Sequence, residues 1–157
     1  MRWITRTRPK IDRIACPWLI ARFIDREPEF IFAPADKVLD KARALGAVPF
    51  DIPGVELSHE GEHCTFDTII RVYKLADPAL RELAPIVRGA DTGELHLAPE
   101  APGLLAVSLG LSALYANDHE MLAHGLVVYD ALYAWICKAR GETHNWPHAR
   151  YTPTFRP

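Results

Sequence analysis

Residues 1–33, MRWITRTRPKIDRIACPWLIARFIDREPEFIFA, change period twice, and that change decides the fold class. Trp3-Ile4-Thr5 with Thr7 suits a short strand, which Pro9 shortens or confines to an edge because proline has no N–H to donate. From Ile14 to Asp25 the apolar residues Cys16, Leu19, Ile20, Phe23 and Ile24 recur at helical spacing and predict an amphipathic helix. Pro17 suits the first helical position, which places Cys16 at the amino end of that helix. Glu29-Phe30-Ile31-Phe32-Ala33 then returns to an extended pattern that Pro34 stops.

Working outward, Asp36 to Leu45 reads as a short helix ended by Gly46, and Ala47 to Ile52 as an extended piece before the Pro53-Gly54 turn. Val55 to Ser58 is again extended. From Phe66 the pattern is mainly helical: Phe66, Ile69, Ile70 and Tyr73 share a face, and Asp77-Pro78 opens a helix through Val87 that residues 88–93 close as a loop. Leu104 to Tyr115 is an apolar segment, and Asp118 suits the cap of a long helix reaching about Ala139. The expected class is α+β, with a small amino-terminal mixed sheet packed against a predominantly helical carboxy-terminal part. Residues 1–140 are expected to form one domain, and 141–157, with His144, Trp146, His148 and Tyr151, an irregular tail.

A chain of 157 residues accommodates one domain of ordinary size. Its 49% apolar and 24% charged residues exclude a disordered or fibrous polymer. A net charge of -2 gives no global attraction to nucleic acid or an anionic membrane. Locally, Arg2, Arg6, Arg8, Lys10, Arg13, Arg22 and Arg26 face only Asp12 and Asp25, a balance suited to an anion. No apolar run is long enough to span a bilayer, and no phosphate-binding glycine loop is present. Cysteines at 16, 64 and 137 match neither a redox pair nor a disulfide framework, so a cytoplasmic protein is expected.

The sharpest local pattern is His59-Glu60-Gly61-Glu62-His63, which formally fits H-E-x-x-H. Gly61 disfavours the helix that a zinc peptidase needs, so a metal site of another geometry is the stronger reading. In an extended segment His59 and His63 face one side, and Glu60, Glu62 and Cys64 the other. Partners from the long helix are Asp118, His119, Glu120 and His124, and such a donor set suits zinc or iron. The alternative is a solvated polar loop with surface histidines. Cys16, beside Arg13 and Arg22 at a helix amino end, sits in positive potential that favours a thiolate. Its alternative is inert packing in the apolar stripe. Arg88 offers guanidinium donors to an oxyanion, with Asp91 as orienting partner, while surface charge explains either one equally well.

Arg8-Pro9-Lys10-Ile11-Asp12-Arg13-Ile14-Ala15-Cys16-Pro17-Trp18-Leu19-Ile20, together with Arg22-Phe23-Ile24-Asp25, resembles the chromate resistance protein family, in the carboxy-terminal domain of its ChrB-like members. The blocks Pro49-Phe50-Asp51-Ile52-Pro53-Gly54-Val55-Glu56-Leu57, His59-x-Gly61-x-x-Cys64-Thr65-Phe66 and Ile86-Val87-Arg88-Gly89-Ala90-Asp91 extend the resemblance, which covers about residues 2–138. It implies a bacterial module that binds or senses a metal ion or an oxyanion such as chromate. The alternative is a metal- or thiol-dependent detoxification enzyme, a reductase or hydrolase. Longer relatives carry a further amino-terminal region similar to winged-helix regulators, so no direct nucleic-acid contact is expected of this part. A homodimer or a regulatory partner is.

Carried onto this sequence, the resemblance implies Cys16 and Asp67 as catalytic residues. It implies Arg13, Trp18, Arg22 and Arg88 around an oxyanion, and His59, Cys64, Asp118 and His119 around a metal.

Overall fold

The computed structural model describes residues 1–143. In chain order the elements are β1 (Arg2–Arg6), α1 (Asp12–Leu19), β2 (Glu29–Ala33), α2 (Val38–Leu45), β3 (Val48–Pro49), α3 (Thr65–Val72), α4 (Pro78–Thr92), α5 (Ala101–Leu114) and α6 (Asp118–Ala134). π-type turns extend α1 over Ile20–Ile24 and α6 over Trp135–Ala139. The aromatic tail beyond residue 143 lies outside the described residues.

The α+β class holds, with a refinement: the sheet runs β2-β1-β3 and both pairings are parallel, in place of the mixed sheet that the sequence pattern predicts. The connections explain this. α1 separates β1 from β2 and α2 separates β2 from β3, so each strand returns to the sheet in the same direction. Side chains alternate across the pleat accordingly. Trp3, Phe30 and Phe32 join the large core built with α1, α3, α4, α5 and α6. Ile4 and Ile31 point the other way, into a small core that Val38 and Ala42 of α2 cover.

Two helix boundaries differ from the sequence reading. α1 begins at Asp12, so Pro17 is its sixth residue and Cys16 lies mid-helix instead of at the amino end. The start is set by a tertiary tie, since the Asp12 carboxylate accepts the Thr65 N–H at 2.6 Å. α4 runs through Thr92, and Arg88 and Asp91 therefore stand on a helix and not in a loop. Gly89 serves close packing there, since a Cβ at this position would lie only 3.0 Å from Ala101 Cβ, and Gly93 takes the left-handed closing conformation at φ 78°. At α6 the cap is Asn117, whose Oδ1 accepts the His119 and Glu120 N–H groups at 3.0 Å, one residue before the expected Asp118. Among the described residues no helix is long and apolar enough to cross a membrane.

Candidate functional site

Three aspartates reach one point from three directions. Asp12 is the first residue of α1, Asp91 stands in the last turn of α4, and Asp51 follows β3 in a left-handed conformation, φ 51°, that aspartate tolerates better than most residues. The loop after Asp51 is pinned by its N–H donating to the Leu57 carbonyl at 2.8 Å. It then delivers His59 and reverses in a tight turn, in which Glu60 and His63 exchange backbone hydrogen bonds at 3.0 Å and Gly61 sits at φ 61°. The H-E-x-x-H pattern is thus a turn, and His63 does not share a face with His59 as it would on a helix or in an extended strand.

His59 Nε2 lies 3.1 Å from Asp91 Oδ2 and 3.5 Å from both Asp12 Oδ2 and Asp51 Oδ1. Donor atoms of Asp12, His59 and Asp91 all fall within 4.8 Å of one another. The carboxylates are graded in burial: Asp12 is 1% exposed and Asp51 5%, whereas the His59 side chain is 44% exposed and forms the open side. Asp51 is fully engaged. Its Oδ1 accepts the Thr65 hydroxyl at 2.9 Å, and its Oδ2 meets Arg6 Nη2 at 2.9 Å and Arg13 Nε at 3.3 Å. Asp12 is not: its Oδ1 is buried with no hydrogen-bond partner among the described residues. A buried, unpartnered carboxylate oxygen is costly, by about 1–3 kcal/mol or more, unless something cationic answers it.

The charge arrangement shifts the titrations. Burial, followed by the Asp12 and Asp51 charges, pushes Asp91 up to about 7. Burial also raises Asp12. The hydrogen bond to Asp12 foremost pushes His59 up to about 9. Asp91 is nearer to Nε2, yet Asp12 acts more strongly because its surroundings are drier and screen less. Arg6 and Arg13 both answer Asp51, so His59 is the basic side chain left to Asp12 and Asp91.

Arg13 touches the cluster through Asp51, and the structure gives the remaining expected residues other partners. Cys16 is fully buried, and burial together with Asp12 and Asp51 pushes its thiol well up, so the expected thiolate at a helix end is not formed. Cys64 is also buried; its Sγ donates to Asp67 Oδ2 at 3.4 Å, and burial with the Asp12 and Asp67 charges raises its thiol. Asp67 holds the start of α3 by accepting the Cys64 N–H at 3.2 Å and pairs with Arg88 at 3.0 Å. Trp18 Nε1 and Arg22 both donate to Asp130, at 2.8 Å and 2.7–2.9 Å, tying α1 and its extension to α6. Arg13, Arg22 and Arg88 therefore each face a carboxylate of this chain and do not converge on an anion. Asp118 accepts the Arg8 N–H at 3.1 Å, and His119 packs edge-on against Phe32 at 5.1 Å. Of the expected metal ligands only His59 belongs to the cluster.

The sequence reading takes Asp91 only as a partner of Arg88 and leaves Asp12 and Asp51 out of the site, although a signal for these two is present. Each is a carboxylate set close among apolar neighbours, Ile11-Asp12-Arg13-Ile14 and Phe50-Asp51-Ile52, and such an acid is carried into the core with them.

A family model described as ChrB, C-terminal domain, matches residues 3–136. Protein ChrB of Cupriavidus metallidurans is 32% identical over 141 residues, which span 88% of this chain and 41% of that protein. The chain thus spans about two fifths of the length of the curated relative it matches. No solved structure matches it. The blocks that meet at the three aspartates all fall inside the matched region, and the chain belongs to the ChrB carboxy-terminal domain family.

Proposed function

We propose that this chain is an ion-binding module of chromate resistance, taking a divalent metal ion between Asp12, His59 and Asp91. The observation that carries the reading is the convergence of those three donors around a buried, unpartnered carboxylate oxygen. Imidazole and carboxylate together suit a borderline divalent ion. A sensory role is the natural use of such a site, because the cluster joins the starts of α1 and α3 to the last turn of α4. An ion that redraws those bonds shifts three helices against one another, and a regulatory partner can read the shift. We place this role in the cytoplasm, where free thiols such as the exposed Cys137 persist.

Direct capture of chromate by arginines has less support, since Arg13, Arg22 and Arg88 are each paired. Thiol-based detoxification has less still, with Cys16 and Cys64 buried and protonated.

The test is metal content by plasma mass spectrometry on protein purified without a metal-binding tag. Near-stoichiometric metal in the parent chain, lost in folded His59→Ala and Asp91→Asn variants, is the expected result. Folded parent protein that neither carries nor takes up a divalent ion overturns the reading.

A further inference from the structure

We propose that the ion is an oxygen-preferring divalent cation of the manganese(II) or iron(II) class, bound through Asp12, His59 and Asp91, with coordination positions left open to water. This inference rests on the metal reading above and names its ligand chemistry.

Four observations carry it. First, the donor set is one imidazole and two carboxylates, with oxygen in the majority, and Asp12 Oδ1 is a further buried oxygen with no hydrogen-bond partner among the described residues. Second, thiolate is excluded from the set: the Cys64 thiol is turned to Asp67 and Cys16 lies in the apolar core. A cysteine-rich structural zinc site is therefore not what the fold builds here. Third, Arg6 and Arg13 are both turned to Asp51, so Asp12 and Asp91 have no arginine partner among the described residues and their oxygens are left to the ion. Fourth, three residues are too few to close the shell of an ion that takes about six ligands, as manganese(II) does at octahedral oxygen sites. Asp51 Oδ1 also lies 3.5 Å from His59 Nε2 but accepts the Thr65 hydroxyl, and beyond it the donor group among the described residues is Asp12, His59 and Asp91.

A metal ion on the half-exposed His59 side keeps its open positions in contact with solvent.

The full chain, stripped of metal, is titrated with manganese(II). Free ion is followed by electron paramagnetic resonance and open coordination positions by water proton relaxation. One ion per chain is expected, with relaxation enhanced several-fold over free manganese(II). Asp91→Asn should weaken manganese(II) binding at least tenfold while the far-ultraviolet circular dichroism stays that of the parent, and His59→Ala is the second variant should Asp91→Asn fail to fold. Binding without relaxation enhancement, or parental affinity in a folded variant, overturns the inference. Stoichiometric zinc without manganese(II) binding overturns it while leaving the metal reading intact. Uptake of neither ion overturns both.

Discussion

At the residue scale, His59 is both the most exposed member of the cluster and the one whose charge state matters most. In the metal-free protein its folded value, about 9, lies above the ordinary 6.5. Protonated His59 thus stabilises the fold fully below pH 6.5, and that contribution is lost as pH rises through 9. Asp91 works in the same direction. It holds its proton up to about 7 against an ordinary 3.8, so its ionisation also loosens the metal-free fold as pH rises. Melting temperature of the metal-free chain should fall steadily between pH 5 and pH 9, and His59→Asn should flatten the upper half of that curve. The His59 share is about 1 kcal/mol or less, because its partial exposure screens the pairs. A bound dication reverses the trend, since it needs neutral imidazole and ionised carboxylates.

At the element scale, the contact between α1 and α6 depends on two residues. A Cβ on Gly125 would lie 2.5 Å from Ile14 Cγ2, closer than packed atoms can come, so the glycine is there to let the helices touch. Gly125→Ala should destabilise by about 1–3 kcal/mol despite the better helix propensity of alanine. The double variant with Ile14→Ala should cost less than the sum of the two singles in urea unfolding, because the new methyl enters the space the isoleucine leaves.

Asp130 is the second tie. It accepts from the Trp18 indole, which is 1% exposed, and from Arg22, whose pair with it is half-exposed. Asp130→Ala should cost about 1–3 kcal/mol by leaving a buried N–H unpartnered, whereas Arg22→Ala should cost under about 1 kcal/mol. Equal losses in chemical denaturation would show that the ion pair, and not the indole, carries the tie.

At the scale of the whole molecule, the site lies where the parallel sheet ends. Arg6 closes β1 and Asp51 follows β3, and both strands run the same way, so their carboxyl ends face the starts of α1 and α3. Open parallel sheets place ligands at that edge because the loops leaving the strands meet helix amino ends there.

Much of this arrangement was legible in the chain. The apolar periods gave the strands, the helices and the α+β class, since burial of one face is a local requirement on every element. The family blocks likewise marked His59 and Asp91 as residues of interest. Tertiary contacts decided the remainder. The tie from Asp12 to Thr65 moved the start of α1 ahead of Pro17 and put Cys16 in the core, and the packing of Gly89 against Ala101 carried α4 through Asp91. Which carboxylate answers which guanidinium is also set by three-dimensional proximity, as Arg13 with Asp51, Arg22 with Asp130 and Arg88 with Asp67 show. Periodicity is a property of neighbours along the chain, so the sequence by itself determined the elements and their class. A cluster built from residues 12, 51, 59 and 91 depends on how those elements close on one another, and only the tertiary structure decided it.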